Sequence, residues 1–191
     1  GGRVEIEGVS PESPQGDRAV AAILGEAGIR SRPTTTGLVA EGPARRPLAA
    51  DLTDAPDLFP ALAAVAAALP PGSRIVGIER LRHKESDRVS AMVGNLRGLG
   101  ARVELAGSEF RVTGAMVREE TGVPRVTAAG DHRIAMAMAV AALAAGPLEL
   151  DDPGCVSKSF PDFWESWWEL TGGTGAGGAP PCRGARDRRR R

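Results

Sequence analysis

Cysteine is nearly absent: Cys155 and Cys182 are the only two in 191 residues. One thiol in the body and one near the C-terminal end give neither a disulfide framework nor a zinc site, and they fit a reducing compartment. Long apolar runs are missing too. No stretch reaches the roughly 18 residues that a membrane-crossing helix needs, and the opening GGRVEIEG has no secretion-signal pattern. These absences point to a cytoplasmic protein with no membrane partner. Net charge is also absent, since 24 Lys and Arg balance 24 Asp and Glu. Six of the Arg lie in the last twenty or so residues beside a single acid, so the rest of the chain is mildly acidic. That balance argues against a nucleic-acid partner. No Walker P-loop, GxSxG or HExxH occurs, which removes the sequence support for nucleotide hydrolysis, hydrolase and zincin chemistry.

What is present is ordinary globular composition, with 42% hydrophobic residues. Residues 171–191 are rich in Gly, Pro and Arg without apolar periodicity, and read as a disordered tail. Residues 1–170 then form one domain with a real core. An internal repeat runs through it. A shift of 74 residues places Asp57 on Asp131, Leu69 on Leu143, Gly72 on Gly146 and Lys84 on Lys158. A shift of 72 places Leu24, Gly28 and Arg30 on Leu96, Gly100 and Arg102. The chain reads as about three versions of one helix–strand–helix–strand unit. Residues 57–69 and 131–145 predict apolar helices buried on most sides. Residues 74–79 and 147–150 predict strands, as do ARVEL and FRVTG. Val89, Met92, Val93, Leu96 and Leu99 make one core-facing stripe of a helix that ends at Gly100. The expected fold is α/β, with repeated helix-strand units and small sheets packed around buried helices.

Charged residues gather where these helices are expected to start. Asp57 opens the first buried helix; Lys84, Glu85 and Arg88 open the second; Asp131, His132 and Arg133 open the third; Lys158 precedes SFPDFWESWWEL. Cations there oppose the helix dipole, and a bound anion is one way to account for them. Each residue also has a plainer reading. Asp57 and Asp131 serve as N-caps, Arg88 and Arg133 snorkel to water, and a lone His is commonly structural. Glu85 falls on the apolar stripe if the helix includes it, so either the helix begins at Ser86 or a carboxylate faces an enclosed site. The repeat adds that equivalent helices point the same way and bring these side chains to one face. Convergent cations with carboxylates describe a site for an anionic substrate undergoing proton transfer.

PQGD at 14–17, APDL at 55–58, KESDR at 84–88, GDHRIAMA at 130–137 and CVSKSFPDF at 155–163 resemble, in order and spacing, the C-terminal domain of the 5-enolpyruvylshikimate-3-phosphate synthases (3-phosphoshikimate 1-carboxyvinyltransferases). The resemblance implies transfer of the enolpyruvyl group of phosphoenolpyruvate to the 5-hydroxyl of shikimate 3-phosphate, in the shikimate pathway that leads to chorismate and the aromatic amino acids. It implies Asp57 as proton acceptor and shikimate 3-phosphate contact, Lys84 as a second such contact, and Glu85 as the carboxylate for proton transfer at the methylene. It implies Arg88, Arg133 and Lys158 as the phosphoenolpyruvate-binding cations, with His132 beside them. No metal or organic cofactor is implied. Arg80 and His83 depart from the family pattern and are given no role. Family members carry a second, N-terminal domain that supplies most shikimate 3-phosphate contacts, so a separate N-terminal domain is the expected partner. A phosphometabolite-sensing module and a structural remnant are the alternatives.

Overall fold

Proline and alanine decide how the central helices form. The computed structural model describes residues 2–10, 13–84, 86–117 and 122–172. Its helices are α1 (Val20–Glu26), α2 (Phe59–Ala68), α3 (Arg88–Gly98), α4 (His132–Ala145) and α5 (Phe163–Thr171). The paired apolar helices α2 and α4 pack on each other, with α3 against both. Ala63, Ala64, Ala66 and Ala67 of α2, and Ala135, Ala137, Ala139 and Ala141 of α4, are almost wholly buried. Such small side chains let helix backbones approach closely while larger residues between them fill the core. Phe59 opens α2 and meets Phe110 edge to face, with ring centroids 5.3 Å apart.

Three small sheets surround the helices. β1 (Arg3–Glu7), β2 (Arg30–Pro33) and β3 (Gly37–Glu41) form an antiparallel sheet in the order β1-β3-β2. β4 (Ala49–Asp51), β5 (Ser73–Val76), β6 (Arg102–Ala106) and β7 (Glu109–Gly114) form the second, in the order β4-β5-β7-β6. β4 and β5 run parallel while the other pairs are antiparallel. β8 (Arg125–Val126) and β9 (Glu149–Leu150) make a short parallel pair. This is the α/β arrangement of small sheets around buried helices that the periodicity predicts. Val89, Met92, Val93, Leu96 and Leu99 are all buried, as the stripe requires. Leu69 and Leu143, matched by the repeat, differ: the first is buried and the second exposed. No helix among the described residues is long and apolar enough to cross a membrane. The expected tail from residue 171 lies, beyond Gly172, outside the described residues.

Several boundaries differ from expectation, each for a local reason. The 57–69 helix starts instead as a 3-10 turn, Pro56–Leu58, and becomes α-helical at Phe59. A proline ring clashes with the carbonyl four residues back, so Pro60 bars an α-turn reaching to residue 56. The 74–79 strand ends at Val76 because Gly77 turns the chain with φ 77°. A Cβ at Gly77 would lie 2.3 Å from the Thr53 amide nitrogen, so only glycine fits. A 3-10 turn over Glu79–His83 follows. The 147–150 strand is reduced to Glu149–Leu150.

On the second sheet, Glu109 sits between Arg74 and Arg111, accepting from both guanidinium groups. Hydrogen bonds from Arg111 and Arg74 pull its carboxyl down to about 2. A depressed carboxyl stabilises the fold above its unfolded value, about 4.3, and that contribution is lost as pH falls through the folded value. Glu109→Gln is therefore expected to lower the melting temperature at pH 7. The gap from the parent chain should close as melts are repeated between pH 4.5 and pH 2. A gap unchanged down to pH 2 would show that the Arg74–Glu109–Arg111 bonds contribute nothing through charge.

Candidate functional site

Asp57 was expected to cap α2, but no side-chain capping bond is made at either the 3-10 turn or the helix. With the turn wound as 3-10, its carboxylate is free to meet cations from other elements. Arg88 Nη1 donates to Asp57 Oδ1 at 2.7 Å. Arg133 Nη2 lies 3.1 Å from Oδ2, and Lys84 Nζ lies 3.8 Å from Oδ1. A further Arg133 nitrogen, Nη1, reaches the Asp57 carbonyl oxygen at 3.5 Å. Two cations from the first turns of α3 and α4, and Lys84 from the segment before α3, thus enclose one carboxylate that is itself 30% exposed.

Arg88 does not snorkel to water. It is the first residue of α3 and its side chain is only 4% exposed. The edge turned away from Asp57 is held by Asp131, through Nε to Oδ2 at 2.6 Å and Nη2 to Oδ1 at 3.5 Å. Asp131 has no exposed surface. It caps α4 by accepting from the Arg133 amide at 2.9 Å, and also accepts from Ser86 Oγ at 3.3 Å. Burial pushes its carboxyl up, but hydrogen bonds from Arg88 and the Arg133 amide, with the charges of Arg88 and His132, outweigh this and hold it below the usual range.

The second helix also starts later than expected. α3 begins at Arg88 behind Asp87, whose Oδ1 accepts from the Ser90 amide at 3.0 Å and Oδ2 from the Ser90 hydroxyl at 2.7 Å. This N-cap was readable as an Asp just ahead of the apolar stripe. Lys84 therefore follows the Glu79–His83 turn and is not part of the helix. Lys158 closes a comparable 3-10 turn, Pro153–Lys158, and so does not directly precede α5. Its Nζ reaches the Gly130 carbonyl at 3.5 Å, one residue before the α4 cap. Among the described residues no ion pair neutralises it. His132 is the first residue of α4, beside Arg133. Glu85 lies outside the described residues.

The structure thus brings Asp57, Lys84, Arg88, His132, Arg133 and Lys158 to one region. It adds Asp131, which the sequence placed at the start of the third helix as a cap, and Ser86, which it named as a possible start of the second helix, as partners inside the cluster. Four cations (Lys84, Arg88, Arg133, Lys158) face two described carboxylates (Asp57, Asp131), a surplus of positive charge suited to a multivalent anion. An apolar groove of about 590 Å³ lined by Val9, Gln15, Val20, Pro33 and Leu38 lies elsewhere and includes none of these groups. Among the described residues no group of three or more His, Cys, Asp or Glu is placed to hold a metal ion.

Comparison with known proteins gives one consistent result. The EPSP synthase (3-phosphoshikimate 1-carboxyvinyltransferase) family matches residues 1–167. A 3-phosphoshikimate 1-carboxyvinyltransferase of Aeropyrum pernix is 44% identical over 168 residues, covering 86% of this chain and 38% of the relative. That of Methanosphaerula palustris is 37% identical over 167 residues, covering 87% and 38%. The chain thus spans about two fifths of the length of the curated relatives it matches. Among solved structures, EPSP synthase from Acinetobacter baumannii aligns over 88% of this chain and 41% of its own, with a TM-score of 0.68 at 24% identity. The enolpyruvyl transferase NikO from Streptomyces tendae aligns over 83% and 37%, with a TM-score of 0.58 at 22% identity. These two likenesses concern the fold.

Proposed function

The chain belongs to the EPSP synthase family, and from that premise we propose that its charged cluster is one wall of a site for enolpyruvyl transfer. The substrates are phosphoenolpyruvate and shikimate 3-phosphate, and a second, N-terminal domain supplies the other wall. The observation that carries this reading is the enclosure of Asp57 by Lys84, Arg88 and Arg133, with Lys158 alongside. Two anionic substrates need such a surplus of cations, and transfer needs a carboxylate among them to move a proton.

The chemistry assigns a task to each group. The 5-hydroxyl gives its proton to Asp57 as its oxygen bonds to C2 of phosphoenolpyruvate. The C3 methylene takes a proton, for which Glu85 is the proposed donor, and a tetrahedral ketal results. Loss of a C3 proton then expels phosphate from C2 and restores the double bond. Lys84 holds shikimate 3-phosphate. Arg133 and Lys158, both accessible, hold the carboxylate and phosphate of phosphoenolpyruvate, with His132 beside them. Arg88 sits deeper, and an anion reaches its guanidinium by taking over the Nη1 bond to Asp57. Exchanging one carboxylate for another keeps the buried charge paired, which makes Asp57 available for its proton at the moment substrate arrives.

The test is to mix the chain with a matching N-terminal domain and measure phosphate released from phosphoenolpyruvate in the presence of shikimate 3-phosphate. Release above either half alone is expected. An inactive mixture in which the chain still binds phosphoenolpyruvate would favour the sensing alternative. In the same assay, Lys158→Ala is expected to weaken phosphoenolpyruvate binding roughly 10- to 100-fold, the loss of one charge-assisted contact. Val4→Ala, half-buried in β1, should change affinity only through stability. Equal effects of the two at matched folded fraction would remove Lys158 from the site.

A further inference from the structure

α3 grips the segment that carries Asp131, His132 and Arg133 at two points, seven residues apart. Arg88 in the first turn holds Asp131. Asn95, two turns on, holds Thr127: its Nδ2 donates to the Thr127 carbonyl at 2.8 Å and its Oδ1 accepts from the Thr127 amide at 3.0 Å. Residues seven apart share one helix face at a separation of roughly 10 Å, so one face of α3 holds both ends of the 127–131 segment. Asn95 is buried in α3 between Met92 and Leu96, where an apolar side chain is the default. A buried amide is tolerated only when its polar atoms are bonded, and both are bonded to this one backbone position.

A second clamp closes from the other side. Asp151, just after β9, accepts from Thr127 Oγ1 at 2.6 Å and from the Ala128 amide at 2.7 Å. Those two bonds, against the pull of partial burial, hold its carboxyl below the usual range. Thr127 Oγ1 in turn accepts from the Ala129 amide at 3.0 Å. Ala129 has φ 52°, a left-handed conformation, and Gly130 follows with φ 67°. For alanine that backbone is strained, and it persists where the surroundings over-determine it. The turn it shapes presents the Gly130 carbonyl to Lys158 and leads directly into the α4 cap.

We propose that Asn95 and Asp151 are positioning residues of the anion site. They fix the Thr127–Gly130 turn so that Asp131 meets Arg88, Arg133 meets Asp57, and Lys158 meets the turn. The proposal rests on the reading of the cluster as a substrate site. Neither residue reaches the reacting atoms; each acts through Arg88, Arg133 and Lys158.

The experiment follows two signals in the full chain carrying Asn95→Ala or Thr127→Val. The first is solvent exchange of the Arg88 Nε–H, read by nitrogen-15 NMR, since that proton is bonded to buried Asp131. The second is phosphoenolpyruvate affinity in the presence of shikimate 3-phosphate and the N-terminal domain. At matched folded fraction, about tenfold faster exchange and about tenfold weaker affinity are expected for both variants. Asp151→Ala, which removes the acceptor of both the Thr127 hydroxyl and the Ala128 amide, should show the same two losses, and Asp151→Asn, which restores an acceptor for the Ala128 amide, should recover most of them; unchanged signals in folded Asp151→Ala would strike Asp151 from the proposal. Unchanged exchange and affinity in folded Asn95→Ala or Thr127→Val would overturn the proposal. Thr127→Val leaves the Asn95 bonds to the Thr127 backbone in place and tests the Asp151 clamp; should Asn95→Ala not fold, Asn95→Asp, which keeps the acceptor for the Thr127 amide but loses the donor to its carbonyl, decides for Asn95. A parent chain that binds no phosphoenolpyruvate would defeat the functional reading, while Arg88 Nε–H exchange would still decide the positioning claim.

Discussion

Asp57→Asn is expected to cut turnover of the reconstituted enzyme by about 10²- to 10⁴-fold, the usual contribution of a general base. The amide matches the carboxylate in size and can still accept a hydrogen bond from Arg88 or Arg133, whose nitrogens lie 2.7 and 3.1 Å from the two oxygens. What it cannot do is accept the proton of a substrate hydroxyl. If Asp57 served only to balance Lys84, Arg88 and Arg133, its neutralisation would leave a more positive pocket and tighter anion binding. Turnover and affinity therefore separate the two roles. Phosphoenolpyruvate binding should be unchanged or tighter, with the loss confined to the chemical step. Turnover within about tenfold of the parent would mean that another group takes the proton.

The features of this site that were legible in the sequence are those set by short-range rules. The α3 stripe was readable because apolar residues three and four apart must share a face. Asp131 was readable as a cap because Asp ahead of an apolar run satisfies free amides, and its carboxylate does accept from the Arg133 amide. The same rule failed for Asp57, where Pro60 imposes a 3-10 turn and releases the carboxylate to Arg88, Arg133 and Lys84. That release depends on a ring clash with the preceding turn, which the spacing of charged residues does not encode. Arg88 misled in a different way. Its position at a helix start fitted a solvated cation or an anion ligand. Its burial follows from two aspartates 31 and 43 residues away in sequence, and pairing over that range is a property of the packed helices.

Those long-range pairs also explain how cations sit at helix starts before any substrate arrives. The dipole argument called for an anion at the first turns of α3 and α4. Asp131 meets that need at both, bonding the α4 amide at Arg133 and the guanidinium at the start of α3. On the proposed reading an external anion meets first the accessible rim of Lys84, Arg133 and Lys158, and it reaches buried Arg88 only at the Nη1 edge that Asp57 occupies. The cluster thus divides into a buried Arg88–Asp131 pair that joins the two helix starts and accessible cations around Asp57.

Asp131→Ala should be the most destabilising single change in the cluster, at about 3–5 kcal/mol, the range for breaking a buried ion pair by removing one partner. Arg88 would keep the Nη1 bond to Asp57, while its Nε, in a residue only 3% exposed, would lose its acceptor. Loss of the α4 cap adds to the cost. Asp131→Asn keeps the cap acceptor and isolates the charge. Because the folded carboxyl titrates below its unfolded value, about 3.9, its contribution is complete above that pH and disappears as pH falls through the folded value. Urea unfolding of the parent and Asp131→Asn should therefore differ by a constant amount from pH 7 to about pH 4 and converge below it. A loss in Asp131→Ala under about 1 kcal/mol, or a gap that persists at low pH, would show that Arg88 is stabilised by something other than this carboxylate. The double variant Arg88→Leu with Asp131→Leu supplies the control. Apolar replacement of both partners removes the stranded charge, so it should be more stable than Asp131→Ala while phosphoenolpyruvate binding is lost. That outcome would place the buried pair in the service of the site, because a fold that needed only stability would do as well with leucines there.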